Sequence, residues 1–384
     1  MHIALITDGI SPYVLGGMQK HSFYLVKNLA KNQIHVDLFH HNDSEFDIHQ
    51  LEFFTEQEKK FIHPTVLNFP TSRKFPGHYV YNSYNYSCLI FKAIKDKLKT
   101  YDFIYSKGFS GWKLISEKHK GNINCCKIGV NFHGYEMFQI APEPRAKLQQ
   151  FFLRPFVTNI SRQADIVFSY GGKITNIIQS IGVNSNQIIE IPSGVEKDFI
   201  NSYISYHNEP YRKFIFLGRA ERRKGISELN DVLLQLISEK QVFKFEFIGP
   251  IPDSMKINHP CIIYHGEIRD TKKIKSLLSQ TDILVCPSWS EGFPNVILEA
   301  MACGLAIIAT NVGAIPAMVN EQNGWLIRPT NKIELKQVMK QAIDDQNLRL
   351  KKEKSLDLIQ THFNWDVISN QMITFLKNKI NPKI

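Results

Sequence analysis

Cysteine is scarce and unpatterned, with six among 384 residues. Cys125 and Cys126 are adjacent, Cys88, Cys261, Cys286 and Cys303 sit inside apolar runs, and no C-x-x-C spacing occurs. That usage excludes a disulfide scaffold and reads as small core residues. Uninterrupted apolar runs of about 18 residues, the length a bilayer-spanning helix needs, are also missing. The opening MHIALITDGISPYV is too short an apolar stretch, and lacks the basic flank and small-residue cleavage site, to be a signal peptide; it reads as a first strand of a cytoplasmic protein. Glycine (21) and proline (17) are at ordinary levels, which excludes collagen-like and disordered classes. The chain has no G-x-x-x-x-G-K-[ST], no G-x-G-x-x-G after the first strand, no H-E-x-x-H and no D-x-D pair for a divalent ion. The expected chemistry therefore needs neither a metal nor another cofactor.

What is present suits a soluble two-domain protein, with 43% hydrophobic and 21% charged residues. The net charge of +10 calls for an anionic partner. The basic excess is spread over both halves, with no basic arm or tail, so no nucleic-acid binding is expected. Strand then helix is the recurring pattern. HIALIT, IHVDLFH, FIYS, CKIGVNFH and DIVFSY are strand candidates in the first half, with MQKHSFYLVKNLAKN and PRAKLQQFFLRPFVTNISRQ as helices. KFIFLG, FKFEFIG, CIIYHG, DILVCPS, AIIAT and GWLI follow in the second half, separated by ISELNDVLLQLISEK and KKIKSLLSQT. Alternation of this kind implies α/β architecture in two doubly wound, Rossmann-like domains, with the boundary in the Pro- and Gly-bearing segment Glu190 to Tyr211. Ligands of such sheets bind beyond the carboxyl ends of the strands, and the expected site is a cleft between the two domains.

Four places carry candidate chemistry. The first is SWSEGFPNVILEAMACGLAIIATNVGAIP, Ser288 to Pro316, where a strand ends and a helix begins. Pro294 fits an early helical position, so the amides of Gly292, Phe293, Asn295 and Val296 would form an anion site. Glu291 precedes the helix and Glu299 lies a turn or so inside it; two carboxylates there suit a ligand with a phosphate and several hydroxyls. The competing reading is an ordinary helix start with dipole-complementary acids. The second is Leu217 to Gly225, LGRAERRKG, in which Gly218 permits a tight turn and Arg219 and Lys224 can neutralise a diphosphate. A solvated basic face is the plainer alternative. The third is Gly16-Gly17 after the first strand, either a close-approach loop or a flexible turn. The fourth is His133, at the end of CKIGVNF, suited to a sugar hydroxyl or a structural contact.

Taken together these sites resemble the retaining GT-B glycosyltransferases of family four. Their E-x7-E mark stands as Glu291-Gly-Phe-Pro-Asn-Val-Ile-Leu-Glu299, followed by Ala300-Met301-Ala302-Cys303-Gly304. ADIVFSY with IIEIPSGVEKDF, Gly218-Arg219 with Lys224-Gly225, and NVGAIPAMV with NGWLIRP extend the resemblance over nearly the whole chain. Gln19 stands where relatives often have Glu, and Ser193 where IPNG is commoner. The resemblance implies a GT-B fold divided into an acceptor-binding domain 1–195, a donor-binding domain 196–363, and a helix 364–384 that returns to the first domain. By the same likeness Arg219 and Lys224 hold the donor diphosphate, Glu299 the ribose, Glu291 with the amides of Gly292 to Asn295 the donor sugar, and His133 the sugar or reacting centre. The implied activity is hexosyl transfer from a UDP- or GDP-sugar to a glycan or lipid-linked acceptor, with retention, in bacterial surface polysaccharide synthesis.

Two other classes share these features. A GT-B nucleotide-sugar 2-epimerase uses the same sheets and phosphate grip, and a non-catalytic nucleotide-sugar binder would bind without turnover. Basic and aromatic residues interleaved from Arg73 to Lys99 and from Arg145 to Arg162, with Phe151, Phe152 and Phe156 beside Arg154, raise one further expectation, peripheral contact with an anionic membrane.

Overall fold

A computed structural model describes residues 1–14, 16–42, 52–73, 75–204 and 209–380. The chain divides into two compact units: residues 1–135, 148–192 and 365–384 form one, and residues 136–147 and 193–364 the other.

The first unit is built on strands β1 (His2–Ile6), β2 (His35–His40), β3 (Ile62–Val66), β4 (Phe103–Lys107), β5 (Lys127–Asn131), β6 (Ile166–Ser169) and β7 (Ile188–Glu190). They form one sheet in the order β3-β2-β1-β4-β5-β6-β7, every pair parallel. The apolar runs read above as strands are β1, β2, β4, β5 and β6, whose near-continuous hydrophobicity reflects burial on both faces. β3 was not among those expectations. Its sequence IHPTV carries Pro64, which cannot donate to a ladder and is tolerated because β3 is an edge strand. The helix Gly17–Lys31 packs Leu25, Val26 and Leu29 against Leu5, Val36 and Leu38. The last helix, Trp365–Ile380, places Trp365, Ile368, Met372 and Leu376 in the same core at helical spacing, so the C-terminal segment belongs to this unit.

The second unit carries β8 (Arg212–Leu217), β9 (Phe243–Ile248), β10 (Ile262–Tyr264), β11 (Ile283–Cys286), β12 (Ala306–Thr310) and β13 (Gly324–Ile327). Their order is β10-β9-β8-β11-β12-β13, again all parallel. These six strands coincide with the six apolar runs of the second half. Phe214, Phe216, Phe245 and Phe247 meet Leu229, Val232, Leu233 and Leu236 of the helix Ile226–Ser238 in a buried core.

Both sheets therefore have the doubly wound form, and each reverses its strand order once: between β1 and β4 in the first, between β8 and β11 in the second. The crevice at such a reversal is where ligands of open α/β sheets bind. Within the boundary segment Glu190 to Tyr211, Ser193 already belongs to the second unit, and residues 205–208 lie outside the described residues, as do residues 381–384 of the expected segment 364–384. Residues 136–147, placed in the first domain on sequence, join the second unit because Gln139 hydrogen-bonds the Glu291 backbone there.

Candidate active site

The loops that follow β8 and β11 meet at the reversal of the second sheet. Gly225 has φ of 73°, and a Cβ there would lie 2.1 Å from the Pro287 carbonyl oxygen, so only glycine lets the two loops touch. The Trp289 N–H donates to the Arg223 carbonyl at 2.7 Å, tying the loops further. On this frame Lys224 Nζ stands 2.6 Å from Glu291 Oε1, and Ser288 Oγ donates to the same oxygen at 2.7 Å. Arg223 Nη1 is 3.4 Å from Glu291 Oε2, while its Nε pairs with Glu221 Oε2 at 2.8 Å. Burial alone would push the Glu291 carboxyl up, but Lys224 and Arg223 outweigh it and hold the group below the usual carboxylate range.

The segment 136–147 completes this cluster. Gln139 Nε2 donates to the Glu291 carbonyl at 2.6 Å, and its Oε1 accepts the Glu291 N–H at 3.2 Å, so one carboxamide grips both backbone groups of Glu291. Glu136 lies in the same field; burial raises its carboxyl and Glu291 adds to the rise, against the pull of Arg223 and Lys224. A neighbouring pair is structural in form. Arg222 makes two bonds to Glu228, at 2.8 and 2.6 Å, and its guanidinium lies 4.5 Å from the Trp289 ring centre.

The residues singled out on sequence are distributed as follows. Lys224 and Glu291 are brought together directly. Arg219 is not beside them: its side chain is exposed and pairs with Glu221 at 2.7 Å, and Arg223 takes the place next to Lys224. Gly218 closes β8, its N–H donating to Ile248 at 2.9 Å. Gly292 and Phe293 are buried, and Pro294 takes the N-cap, one position before the helix Asn295–Ala302 rather than inside it. Asn295 and Val296 are its first two residues, and Glu299, half-buried, lies in its second turn. Gly313, at φ 54°, faces the Glu291 carbonyl so closely that a Cβ would sit 2.0 Å away. Sequence reasoning missed Arg223, Ser288, Gln139 and Glu136; the adjacency of Arg223 to Lys224 in a basic run was its one available signal.

A second polar cluster occupies the strand ends of the first unit. Gly16 and Gly17 open the helix after β1, and Gln19 Nε2 donates to Asp8 Oδ1 at 3.0 Å. Lys107, the last residue of β4, is fully buried and donates to the Tyr170 hydroxyl at 3.2 Å. Burial holds its amine well below the ordinary lysine range, with Asp8 pulling the other way, while burial raises Asp8. His133 has φ of 61°, donates its N–H to Asn131 Oδ1 at 2.6 Å, and sets its Nδ1 3.1 Å from the Tyr170 hydroxyl. His21 lies beside the Tyr170 and Trp365 rings, and burial, reinforced by Lys107 and His133, keeps its imidazole well below the usual histidine range.

Comparison with known proteins follows the same division. Residues 211–345, most of the second unit, match the family described as Glycosyl transferases group 1. Over 363 residues the chain is 26% identical to an uncharacterised glycosyltransferase of Methanocaldococcus jannaschii, covering 92% of each sequence. It is 26% identical over 237 residues, 59% of this chain and 61% of the other, to the N,N'-diacetylbacillosaminyl-diphospho-undecaprenol alpha-1,3-N-acetylgalactosaminyltransferase of Campylobacter jejuni. Among solved structures, sucrose-phosphate synthase of Thermosynechococcus elongatus superimposes with a TM-score of 0.77 at 21% identity, over 98% of both chains. The fold is GT-B, two Rossmann-like domains with seven- and six-stranded parallel sheets.

Proposed function

We propose that this protein is a retaining glycosyltransferase that moves a hexosyl group from a UDP- or GDP-sugar to a glycan or lipid-linked acceptor. The observation that carries the reading is the pairing of the buried Glu291 with Lys224, with Arg223 and Ser288, at the strand reversal of the second sheet and directly before the helix Asn295–Ala302. A cation pair beside a helix N-terminus is suited to a diphosphate, and a carboxylate held ionised next to it is suited to sugar hydroxyls. The likeness to glycosyltransferases over 92% of the chain supports the same conclusion.

In this reading Lys224, with Arg223 and the exposed Arg219, stabilises the charge that develops on the departing diphosphate. Glu299 takes the ribose hydroxyls, and Glu291 with the amides of Gly292, Phe293 and Asn295 orients the donor sugar. His133 is assigned to the sugar or reacting centre, and Gly16 and Gly17 to close approach of a ligand at the loop after β1. No carboxylate is assigned as a covalent nucleophile; the acceptor attacks on the face from which the diphosphate leaves, and a diphosphate oxygen takes the acceptor proton. Two guanidinium groups and an ammonium supply the positive charge, so the reaction runs without a metal or other cofactor.

The acceptor is assigned to the first unit, in surface polysaccharide synthesis at the inner face of a membrane. On the helix Pro144–Gln163, Leu148, Phe151 and Phe152 are 58%, 64% and 59% exposed, close to Arg145, Lys147 and Arg154. Exposed aromatics among basic residues suit an anionic bilayer surface. Phe156 is half-buried and packs on Trp112 instead, with ring centres 5.4 Å apart. Among the described residues no helix is long and apolar enough to cross a membrane.

The test is a panel of UDP- and GDP-sugars, each incubated with the purified chain and candidate acceptors and read by nucleoside diphosphate release. Acceptor-dependent release supports transfer. Release without an acceptor, with a rearranged sugar, indicates epimerisation, and binding with no consumption indicates a binding protein.

A further inference from the structure

Glu291 is held by its backbone as well as by its carboxylate. Its carbonyl accepts from Gln139 Nε2 at 2.6 Å and its N–H donates to Gln139 Oε1 at 3.2 Å, so a single carboxamide pairs with both peptide groups of one residue, as a neighbouring strand would. Gln139 follows a short 3-10 turn, Glu136–Phe138, and its own N–H donates back to the Glu136 carbonyl at 3.0 Å. The loop after β12 restrains the same stretch. Gly313, at φ 54°, comes so close that a Cβ would lie 2.0 Å from the Glu291 carbonyl oxygen and 2.9 Å from that of Gly292, and the Ala314 N–H donates to the Gly292 carbonyl at 2.9 Å.

We propose that Gln139 is a positioning residue of the donor-sugar site: it fixes the Glu291–Gly292 peptide, so that the Glu291 carboxylate and the amides that follow it keep the geometry that receives the sugar. The need for such a hold comes from the loop itself. Gly292, with no Cβ, leaves the backbone more freedom than any other residue would, and Glu291 is the residue directly before it. The carboxylate meanwhile has three side-chain partners, Lys224 and Ser288 on Oε1 and Arg223 on Oε2, and such an arrangement persists only while the backbone that carries it stays in place. A carboxamide is suited to the task because it has both a donor and an acceptor and brings no charge into a field already set by Lys224, Arg223 and Glu291. An ionised carboxylate at this position would only accept, and an ammonium would only donate. The role in sugar binding rests on the proposed function of this site; the grip of Gln139 on the peptide does not.

Gln139→Met keeps the length of the side chain and removes both bonds, and Gln139→Ala removes the side chain altogether, so that one variant serves if circular dichroism shows the other poorly folded. Hydrogen exchange of the full chain without ligand, read by mass spectrometry on peptides covering Ser288 to Val296, should quicken in the variants; unchanged exchange overturns the grip. In calorimetry UDP or GDP should bind the variants as it binds the wild type, while the nucleotide sugar selected by the release panel should bind about tenfold more weakly, the scale of one or two neutral hydrogen bonds. In the Glu291→Gln background, Gln139→Met should cost less than it does alone, because both changes act through one residue. Equal weakening of nucleotide and nucleotide sugar means a general loosening of the loop and overturns the positioning role; so does full additivity, or a nucleotide-sugar affinity equal to that of the wild type. A wild type that binds no nucleotide sugar removes the proposed function, and the sugar role of Gln139 with it, whereas faster exchange in the variants still demonstrates the grip.

Discussion

Lys224 Nζ lies 2.6 Å from Glu291 Oε1, in an ion pair that joins the loop after β8 to the loop after β11. Arg223 reaches the other oxygen of the same carboxylate at 3.4 Å, so Glu291 is held between two cations. On the proposed function a diphosphate here meets positive charge already gathered, and Glu291 faces the donor sugar.

The cations should matter most as the leaving group departs. Lys224→Ala should lower kcat by roughly 10², in the range for a lost transition-state donor, and lower nucleotide affinity by less. Arg223→Ala should resemble it more closely than Arg219→Ala, because Arg223 shares the Glu291 carboxylate and Arg219 does not. Steady-state kinetics on the three variants checks the order; normal turnover in Lys224→Ala would remove the pair from the chemistry.

Chelation should leave the reaction intact. With EDTA present, nucleoside diphosphate release should continue at its original rate, since on the proposed function Lys224, Arg223 and Arg219 provide the charge that a divalent ion supplies elsewhere. A strict demand for manganese or magnesium, restored on adding the ion back, would show that the leaving group is stabilised otherwise.

Acid should destabilise the first unit before carboxylates titrate. Burial holds His40 at about 4 and His21 well below the usual histidine range of 6.5, so the unfolded chain binds protons that the folded one refuses. Stability is then fully present above pH 6.5 and falls as the pH drops toward 4, by about 1.4 kcal/mol per pH unit for each histidine. The raised carboxyl of Asp8 opposes this trend at its acid end. Denaturant melts from pH 7 to 5 measure the slope, and His40→Asn should flatten it by one proton's worth; an unchanged slope would mean His40 is not buried as a neutral ring.

Membrane contact should depend on two phenylalanines. Vesicles containing anionic lipid should float with the protein at low salt and release it as salt rises, because the attraction is partly between basic side chains and headgroups. Phe151→Ser with Phe152→Ser, both already exposed, should abolish flotation without lowering the melting temperature. Flotation unchanged in that variant would place the contact elsewhere.

Much of this arrangement was legible in the sequence where it depends on contiguous residues. Eleven of the strands stood out as largely apolar runs, and β8 and β11 each lead through a Gly-bearing turn to a helix, so Gly218 to Gly225 and Ser288 to Asn295 stood out together. β3 was hidden by Pro64, which an edge position excuses. What the sequence concealed are pairings set by distance in space. Nothing local distinguishes Arg223 from Arg219, and both pair with Glu221, yet Arg223 also reaches Glu291 while the Arg219 side chain is exposed. Gln139 lies 152 positions from Glu291 and belongs by sequence to another half of the chain. Lys107 ends an apolar strand, FIYSK, as an ordinary solvated lysine would, and only the packing around Tyr105 and Tyr170 reveals its burial.

Isothermal titration of UDP and GDP into the wild type, Glu299→Ala and Glu291→Gln, repeated with the intact donor sugar, tests the sugar-nucleotide site most directly. One nucleoside diphosphate should bind the wild type at a single site. Glu299→Ala should weaken it by about 1 to 3 kcal/mol, as for lost hydrogen bonds to a charged acceptor. Glu291→Gln should spare the free nucleotide and weaken only the donor that carries its sugar. Equal nucleotide binding by the wild type and Glu299→Ala, or no binding of either nucleotide, would contradict the assignment of this site.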